Sequence, residues 1–155
     1  MIGKKEKNLI YAGSDHAGFE QKNKLVEFLK EKEEYKVIDL GCFSEDSCDY
    51  PIIAREVSEK VGEHLGSFGI LLCGSGIGMA ISANKMPGIR AVLALNENMA
   101  ELSRQHNNAN VLALGARDAG TSFEEMKKIT DKFLSTPFEE GEERRVRRVK
   151  QIDEL

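Results

Sequence analysis

No apolar run in this 155-residue sequence approaches the ~20 residues a membrane-spanning helix needs. The stretch from Met1 to Asn8 is charged, and no signal-type apolar segment follows it, so no secretory signal is expected. A basic surplus is also missing. The formal net charge is −4, so no overall positive field invites nucleic acid or an anionic membrane surface. Cysteine is scarce: Cys42, Cys48 and Cys73 form no CxxC pair, and three thiols cannot all pair with one another. That usage reads as a reducing compartment, and the expected location is the cytoplasm. Internal repeats, low-complexity tracts and linkers are absent as well, which leaves one domain over residues 1–155.

Against these absences stand 41% hydrophobic and 31% charged residues, the balance of an ordinary globular chain with enough apolar material for a full core. Five strand-length apolar runs recur: Leu9–Gly13, Lys36–Leu40, Gly69–Cys73, Arg90–Leu95 and Asn110–Gly115. Helical spacing separates them. Leu25, Phe28 and Leu29 form one stripe, Ile53, Val57, Val61 and Leu65 a second, and Phe123, Met126, Ile129 and Phe133 a third. Strands alternating with helices predict an α/β fold, a Rossmann-like three-layer αβα sandwich around a five-stranded parallel sheet. The tail changes character after Phe138. Glu139, Glu140, Glu142 and Glu143 precede Arg144, Arg145, Arg147, Arg148 and Lys150, while Val146, Val149 and Ile152 recur every three residues. This predicts a C-terminal helix lying on an apolar surface, with its charges ordered to suit the helix dipole.

Ligands of open α/β sheets bind beyond the carboxyl ends of the strands, so the segments following each strand are the places to look for chemistry. The first is Gly13-Ser14-Asp15-His16-Ala17-Gly18. Its glycine spacing resembles the start of a P-loop, but Phe19-Glu20 stands where Lys-Ser/Thr is required, which argues against a nucleoside triphosphate. Asp15 and His16 remain as polar groups beside a helix N-terminus, with a simple Asp cap as the plainer reading.

The second is Cys73-Gly74-Ser75-Gly76-Ile77-Gly78-Met79. Alternate glycines let successive backbone N–H groups face one point, making an anion or oxyanion cradle. Met79 occupies the place of the last glycine of a dinucleotide fingerprint and of the arginine of a cysteine phosphatase, so neither motif is complete. Cys73 stands at the mouth of this cradle, where a helix N-terminus favours the thiolate; a buried structural cysteine is the alternative.

The third is Asn96 and a helix ending Ser103-Arg104-Gln105-His106-Asn107-Asn108, expected to bring His106 to the same sheet edge as the other polar groups. The fourth, Gly115-Ala116-Arg117-Asp118, adds a cation there. His64 sits among helix-face charges and reads as solvated, and Cys42 and Cys48 flank an acidic loop with no assigned role. No HxH, HExxH or Cys/His spacing supports a metal site.

Together these segments resemble type B ribose-5-phosphate isomerases and the wider ribose/galactose-6-phosphate isomerase family. The likeness includes Gly13 to Phe19, Asp49-Tyr50-Pro51, Cys73 to Gly78, Ala83-Asn84-Lys85, Gly88 to Ala91, Ser103 to Asn107, Asn110-Val111-Leu112 and Gly115 to Arg117. It implies a sugar-phosphate isomerase domain with Cys73 as catalytic base and His106 as the acid that opens the sugar ring. It also implies substrate contacts from Asp15, His16, Gly74, Ser75, Gly76, Ile77, Gly78 and Asn107, and a phosphate clamp from Arg144 and Arg148. One branch of the family uses a Glu after the cradle as base; Met79 stands there in this chain. Another departure is Glu142-Glu143 beside the expected phosphate site, where glycines are usual.

Family members are dimers or dimer pairs with sites at a subunit boundary, so a homo-oligomer is expected. The implied reaction is redox-neutral aldose–ketose interconversion through a cis-enediolate, needing neither metal nor organic cofactor. The alternatives are a hexose 6-phosphate (galactose or allose) as substrate, against which His106 in Ser-Arg-Gln-His-Asn favours the pentose, and a non-catalytic sugar-phosphate-binding module.

Overall fold

The computed structural model describes residues 7–155; the charged N-terminal stretch read above as lacking a secretory signal lies almost wholly outside the described residues. Strands β1 (Asn8–Ser14), β2 (Tyr35–Asp39), β3 (Phe68–Cys73), β4 (Ala91–Leu93) and β5 (Val111–Gly115) form one parallel sheet in the order β2-β1-β3-β5-β4. Helices α1 (Phe19–Lys30), α2 (Tyr50–Glu63), α3 (Ile77–Ala83), α4 (Glu97–Asn107) and α5 (Phe123–Ser135) cover its faces, and α6 (Glu143–Asp153) packs on α4. The predicted three-layer α/β architecture and its C-terminal helix are both present. No helix among the described residues is long and apolar enough to cross a membrane.

Strand alternation builds the two cores. Ile10, Ile70, Leu72, Leu112 and Leu114 point to one face and meet Leu25 and Leu29 of α1, Ala100 of α4, and Met126, Ile129 and Phe133 of α5. Their neighbours Tyr11, Leu71, Cys73, Val111 and Ala113 point to the other and meet Ala54, Val57 and Val61 of α2 and Met79 and Ala83 of α3. Each fully buried aliphatic side chain of this kind contributes about 1.5–3 kcal/mol of transfer free energy. Two expectations shift. Leu65 leaves the second helical stripe, because α2 ends at Glu63 and Leu65 is 97% exposed. His64 is exposed as expected, yet its Nδ1 lies 3.0 Å from the Tyr11 hydroxyl, so it is also tied to β1.

From β1 the chain moves outward to β2 and then returns to place β3 on β1's other side. The β1/β3 boundary is therefore the point where strand order reverses, and the loops leaving those strands diverge there to open a crevice.

Candidate active site

The loops after β1 and β3 carry two of the candidate segments to that crevice. The Asp15 carboxylate, 7% exposed, accepts the Gly18 N–H at 3.0 Å, and the Asp15 N–H donates to the Leu72 carbonyl at 3.1 Å. Asp15 thus closes the turn before α1 and binds that turn to β3. His16, half-buried, accepts the Cys48 N–H on Nδ1 at 3.3 Å. A neutral His16 then carries its proton on Nε2, the nitrogen left free to donate.

Cys73, 5% exposed, ends β3, and its Sγ accepts the Gly76 N–H at 3.1 Å. The Ser75 hydroxyl accepts the Ile77 N–H at 3.2 Å. One cradle amide, that of Gly76, therefore reaches the sulfur, and the Ile77 amide is taken up by the Ser75 hydroxyl beside it. Gly76 holds φ +80°, a conformation that glycine adopts without steric cost, and a β-carbon there would also meet Leu93 and the Leu114 backbone. At Gly78 a β-carbon would lie 2.7 Å from the Tyr50 ring, so Tyr50 forms one wall of the cradle. Met79 is wholly buried in the core and offers nothing to a ligand. On the far side, Arg117 and Asp118 donate their N–H groups to the Gly74 carbonyl at 3.0 and 2.9 Å, holding an exposed acid and an exposed base at the rim.

His106 and Asn107 are not part of this cluster. They close α4, and the turn Asn108–Asn110 leads directly into the amino end of β5. In the sheet register Val111 pairs with Gly69 and Gly115 pairs with Cys73. Four residues of strand, roughly 13 Å, thus separate the level of the His106 turn from the level of Cys73. The expectation that His106 joins the other polar groups at the carboxyl edge is corrected: within one chain it lies at the amino edge. The reason is topological, since α4 starts after β4 and must run back across the sheet to feed parallel β5.

Arg144 and Arg148 lie with His106 rather than with Cys73. Both are exposed on α6, whose last turn pairs Asp153 with Arg90 at 2.6 Å just before β4. At the other end of α6 the Glu139 N–H reaches the Gln105 carbonyl at 3.3 Å, and Arg145 pairs with Glu139. Glu142, noted for its departure from the family pattern, approaches Arg144 at 4.0 Å.

Sequence reading missed the residues that hold these two groups in place. Arg104 is buried and donates to the Thr136 carbonyl at 3.2 Å, the Asn108 side chain at 2.8 Å and the Ala109 carbonyl at 2.5 Å. It fixes the left-handed turn at Asn108 that carries His106. Burial, and secondarily the Arg90 charge, lowers its pKa to about 10. Lys22, with a side chain 1% exposed, bonds both Asp39 oxygens at 2.9 and 2.7 Å and the Cys42 carbonyl at 2.8 Å. It ties the β2 end to α1 beneath the crevice. Lys22 lies in no motif, and Arg104, though inside the Ser103-to-Asn107 segment, had no role assigned to it there. Cys42 and Cys48, given no role from sequence, approach one another across the loop that touches His16, with their Cα atoms 6.9 Å apart.

Comparison with known proteins gives the family. A family model described as Ribose/Galactose Isomerase matches residues 10–152. Ribose-5-phosphate isomerase B of Escherichia coli strain K12 is 44% identical over 132 residues, covering 85% of this chain and 87% of that protein. The crystal structure of a ribose 5-phosphate isomerase from Thermotoga maritima superposes with a TM-score of 0.88 at 46% identity, covering 96% of this chain and 99% of that one. Ribose-5-phosphate isomerase B from Mycoplasma genitalium, solved with bound ribulose-5-phosphate, gives a TM-score of 0.88 at 38% identity, with 97% of both chains covered. A match this complete, running from residue 10 to residue 152, makes the protein an isomerase and a member of the ribose/galactose isomerase family, in its type B ribose-5-phosphate isomerase branch.

Proposed function

We propose that residues 1–155 act as a single sugar-phosphate isomerase domain that interconverts ribose 5-phosphate and ribulose 5-phosphate through a cis-enediolate, a step of the pentose phosphate pathway. The observation that carries this reading is the Cys73 sulfur held at 3.1 Å by the Gly76 N–H, beside Asp15 and His16 in the switch-point crevice. Cys73 as thiolate takes the proton from C2 of the open-chain aldose and returns it to C1. Of the Gly74, Ser75, Gly76, Ile77 and Gly78 amides that line the substrate, those of Gly76 and Ile77 hold the Cys73 sulfur and the Ser75 hydroxyl, which leaves those of Gly74, Ser75 and Gly78 for the oxygen that becomes negative; a single donor of this kind is worth ~2.7–4 kcal/mol in other enzymes. Asp15 and His16 Nε2 contact sugar hydroxyls.

Ring opening and phosphate binding then fall to His106, Asn107, Arg144 and Arg148 of a second copy of the chain, because one copy holds these residues at the opposite sheet edge. An isologous two-fold pairing supplies each crevice with the partner's amino-edge groups and makes two equal sites. Exposed apolar side chains give such a pairing its surface: Ile77 and Ile81 on α3, and Leu95, Met99 and Leu102 at α4, flank strand β4 on both faces of the sheet, with Ile81 60% exposed. A cytoplasmic location follows from the substrate, since phosphorylated sugars do not pass freely through membranes.

The test is isomerisation of ribose 5-phosphate in a chelator, run beside galactose and allose 6-phosphate, for the wild type and Cys73→Ala. The reading expects turnover of the pentose phosphate and its loss in the variant while substrate still binds. Preferential turnover of a hexose phosphate would move the substrate assignment, and near-normal kcat in Cys73→Ala would remove the base.

A further inference from the structure

The turn that follows His106 is held by two arginines. Residues two apart on a helix point about 200° apart around its axis, so the inward course of Arg104 sets His106 on the outer side of α4. His106 is half-buried and Asn107 exposed, whereas Arg104 is 8% exposed. The Arg104 guanidinium lies 4.9 Å from the centre of the Phe68 ring and 5.8 Å from that of Phe133. From there its fork donates to three acceptors: the Thr136 carbonyl after α5, the Asn108 side chain and the Ala109 carbonyl. Arg90 adds a bond from its Nε to the Asn108 carbonyl at 3.0 Å, and Asp153 of α6 holds Arg90 in turn. Asn108 itself stands at φ +47°. Behind the turn is a cleft of about 370 Å³ lined by both arginines, Asn108 and Asn110. On that side the turn is held by polar bonds rather than by packed side chains.

We propose that Arg104 is the positioning residue for sugar-ring opening: through the Asn108–Ala109 turn it holds the His106 imidazole where the crevice of a second copy needs a proton donor. The inference rests on the proposed reading of His106 as the ring-opening acid. A lysine would carry the same charge into this place, but its ammonium has no planar fork to meet three acceptors set around it. Ring opening is a demanding step for placement. The furanose C1–O4 bond breaks with its electron pair going to O4, and O4 takes the proton of His106. The O1 hydroxyl gives its proton to water as C1 becomes the aldehyde carbon. An acid contributes about 10²–10⁴-fold when it is within hydrogen-bond reach of the oxygen it protonates, and a misplacement of about 1 Å costs on the order of a hundredfold.

Proton transfer between C1 and C2 needs none of this. Ribulose 5-phosphate has its O5 esterified, so it closes no furanose ring and stays open-chain. Cys73 then exchanges its C1 proton with solvent without help from His106. A loss of folded protein lowers ring-dependent turnover and this exchange by one common factor, the fraction of chain still folded. A misplaced His106 lowers the ring-dependent activity alone. The ratio of the two activities therefore reads the placement of the imidazole and is blind to stability.

The experiment measures two activities of the full chain: kcat/KM for ribose 5-phosphate, and deuterium uptake at C1 of ribulose 5-phosphate in heavy water. The variants are Arg104→Lys, Asn108→Gly, His106→Asn and the Arg104→Lys/His106→Asn pair. Asn108→Gly keeps a residue suited to positive φ and removes only the side chain that Arg104 grips, so it carries the test should the lysine variant not fold. Relative to exchange, turnover of ribose 5-phosphate should fall about tenfold to hundredfold in Arg104→Lys and about threefold to tenfold in Asn108→Gly. In the paired variant the ratio should match that of His106→Asn, because the acid being positioned is already gone. Equal losses in the two assays for Arg104→Lys, or for Asn108→Gly where the lysine variant does not fold, would overturn the proposal. A further shift of the ratio in the paired variant would overturn it too, since Arg104 would then act without His106. His106→Asn separates the two levels. If that variant shifts the ratio and the turn variants do not, the positioning role alone fails. If it lowers both activities equally, the reading of His106 as ring-opening acid fails and takes the proposal with it.

Discussion

If each site is assembled from two chains, two dead variants should repair one another. Cys73→Ala destroys the carboxyl-edge half of a site and His106→Asn the amino-edge half, and β5 keeps those halves roughly 13 Å apart in level along the sheet within one chain. In a mixed two-fold dimer, one site receives both lesions. The other combines the intact Cys73 of one copy with the intact His106 of its partner and is wild type. Equal amounts of the two variants, unfolded and refolded together, distribute at random, so about half the dimers are mixed and each has one good site of two. The mixture should recover about a quarter of wild-type specific activity, when each variant alone has almost none. The assay is ribulose 5-phosphate formation before and after co-refolding, with the dimer confirmed by light scattering. If every site lay within a single chain, the mixed dimer would hold one site lacking Cys73 and one lacking His106. Activity no greater than the sum of the separate variants would therefore refute the shared-site reasoning.

Two further outcomes test the surroundings of the site. Replacing both Arg144 and Arg148 by alanine removes charge-assisted bonds worth on the order of 1.5–3 kcal/mol each, so KM for ribose 5-phosphate should rise by roughly tenfold or more per arginine while the poor turnover of free ribose stays level; unchanged kinetics with the phosphorylated sugar would return α6 to a surface role and make Arg117 the next candidate. Lys22→Met strands Asp39 and the Cys42 carbonyl without their buried cation. Because Asp39 keeps 22% of its side chain in contact with water, the cost should sit near the low end for a broken buried pair, about 3 kcal/mol. Calorimetry should then show Tm falling by roughly 6–12 °C, and a change within about 2 °C would mean that the pair contributes no such stability.

The fold was legible because burial leaves a periodic trace. Ile70, Leu71, Leu72 and Cys73 must be apolar on both faces of a central parallel strand, and the Val57–Val61 and Ile129–Phe133 spacings mark helix faces against that sheet. The cradle was legible because glycines at 74, 76 and 78 and a cysteine at 73 are local in sequence. What stayed hidden is whatever depends on distance across the fold. The position of His106 at the far sheet edge follows from α4 running back over the sheet, and no property of Ser-Arg-Gln-His-Asn reports that. Nothing in the sequence separates Lys22 and Arg104 from helix-surface cations, since a long basic side chain has the same sequence signature whether it faces water or turns inward to carbonyls. Cys42 and Cys48 are six residues apart with an acidic loop between them, and only the return of that loop onto β1 brings the two sulfurs together.

The sheet also ends in a way that bears on how the chain survives at high concentration. Open strand edges are templates on which other chains add in aggregation. Here β4 offers three residues on one side, too short a row of free amides and carbonyls to seed a ladder. On the other side β2 has five residues, with exposed Lys36 second in the strand and Asp39 held by Lys22 at its end, so an incoming strand would meet a charge it must desolvate. Growth by edge addition is therefore disfavoured at both borders of the sheet, and a chain with a broad apolar surface on its helices can still resist open-ended polymerisation.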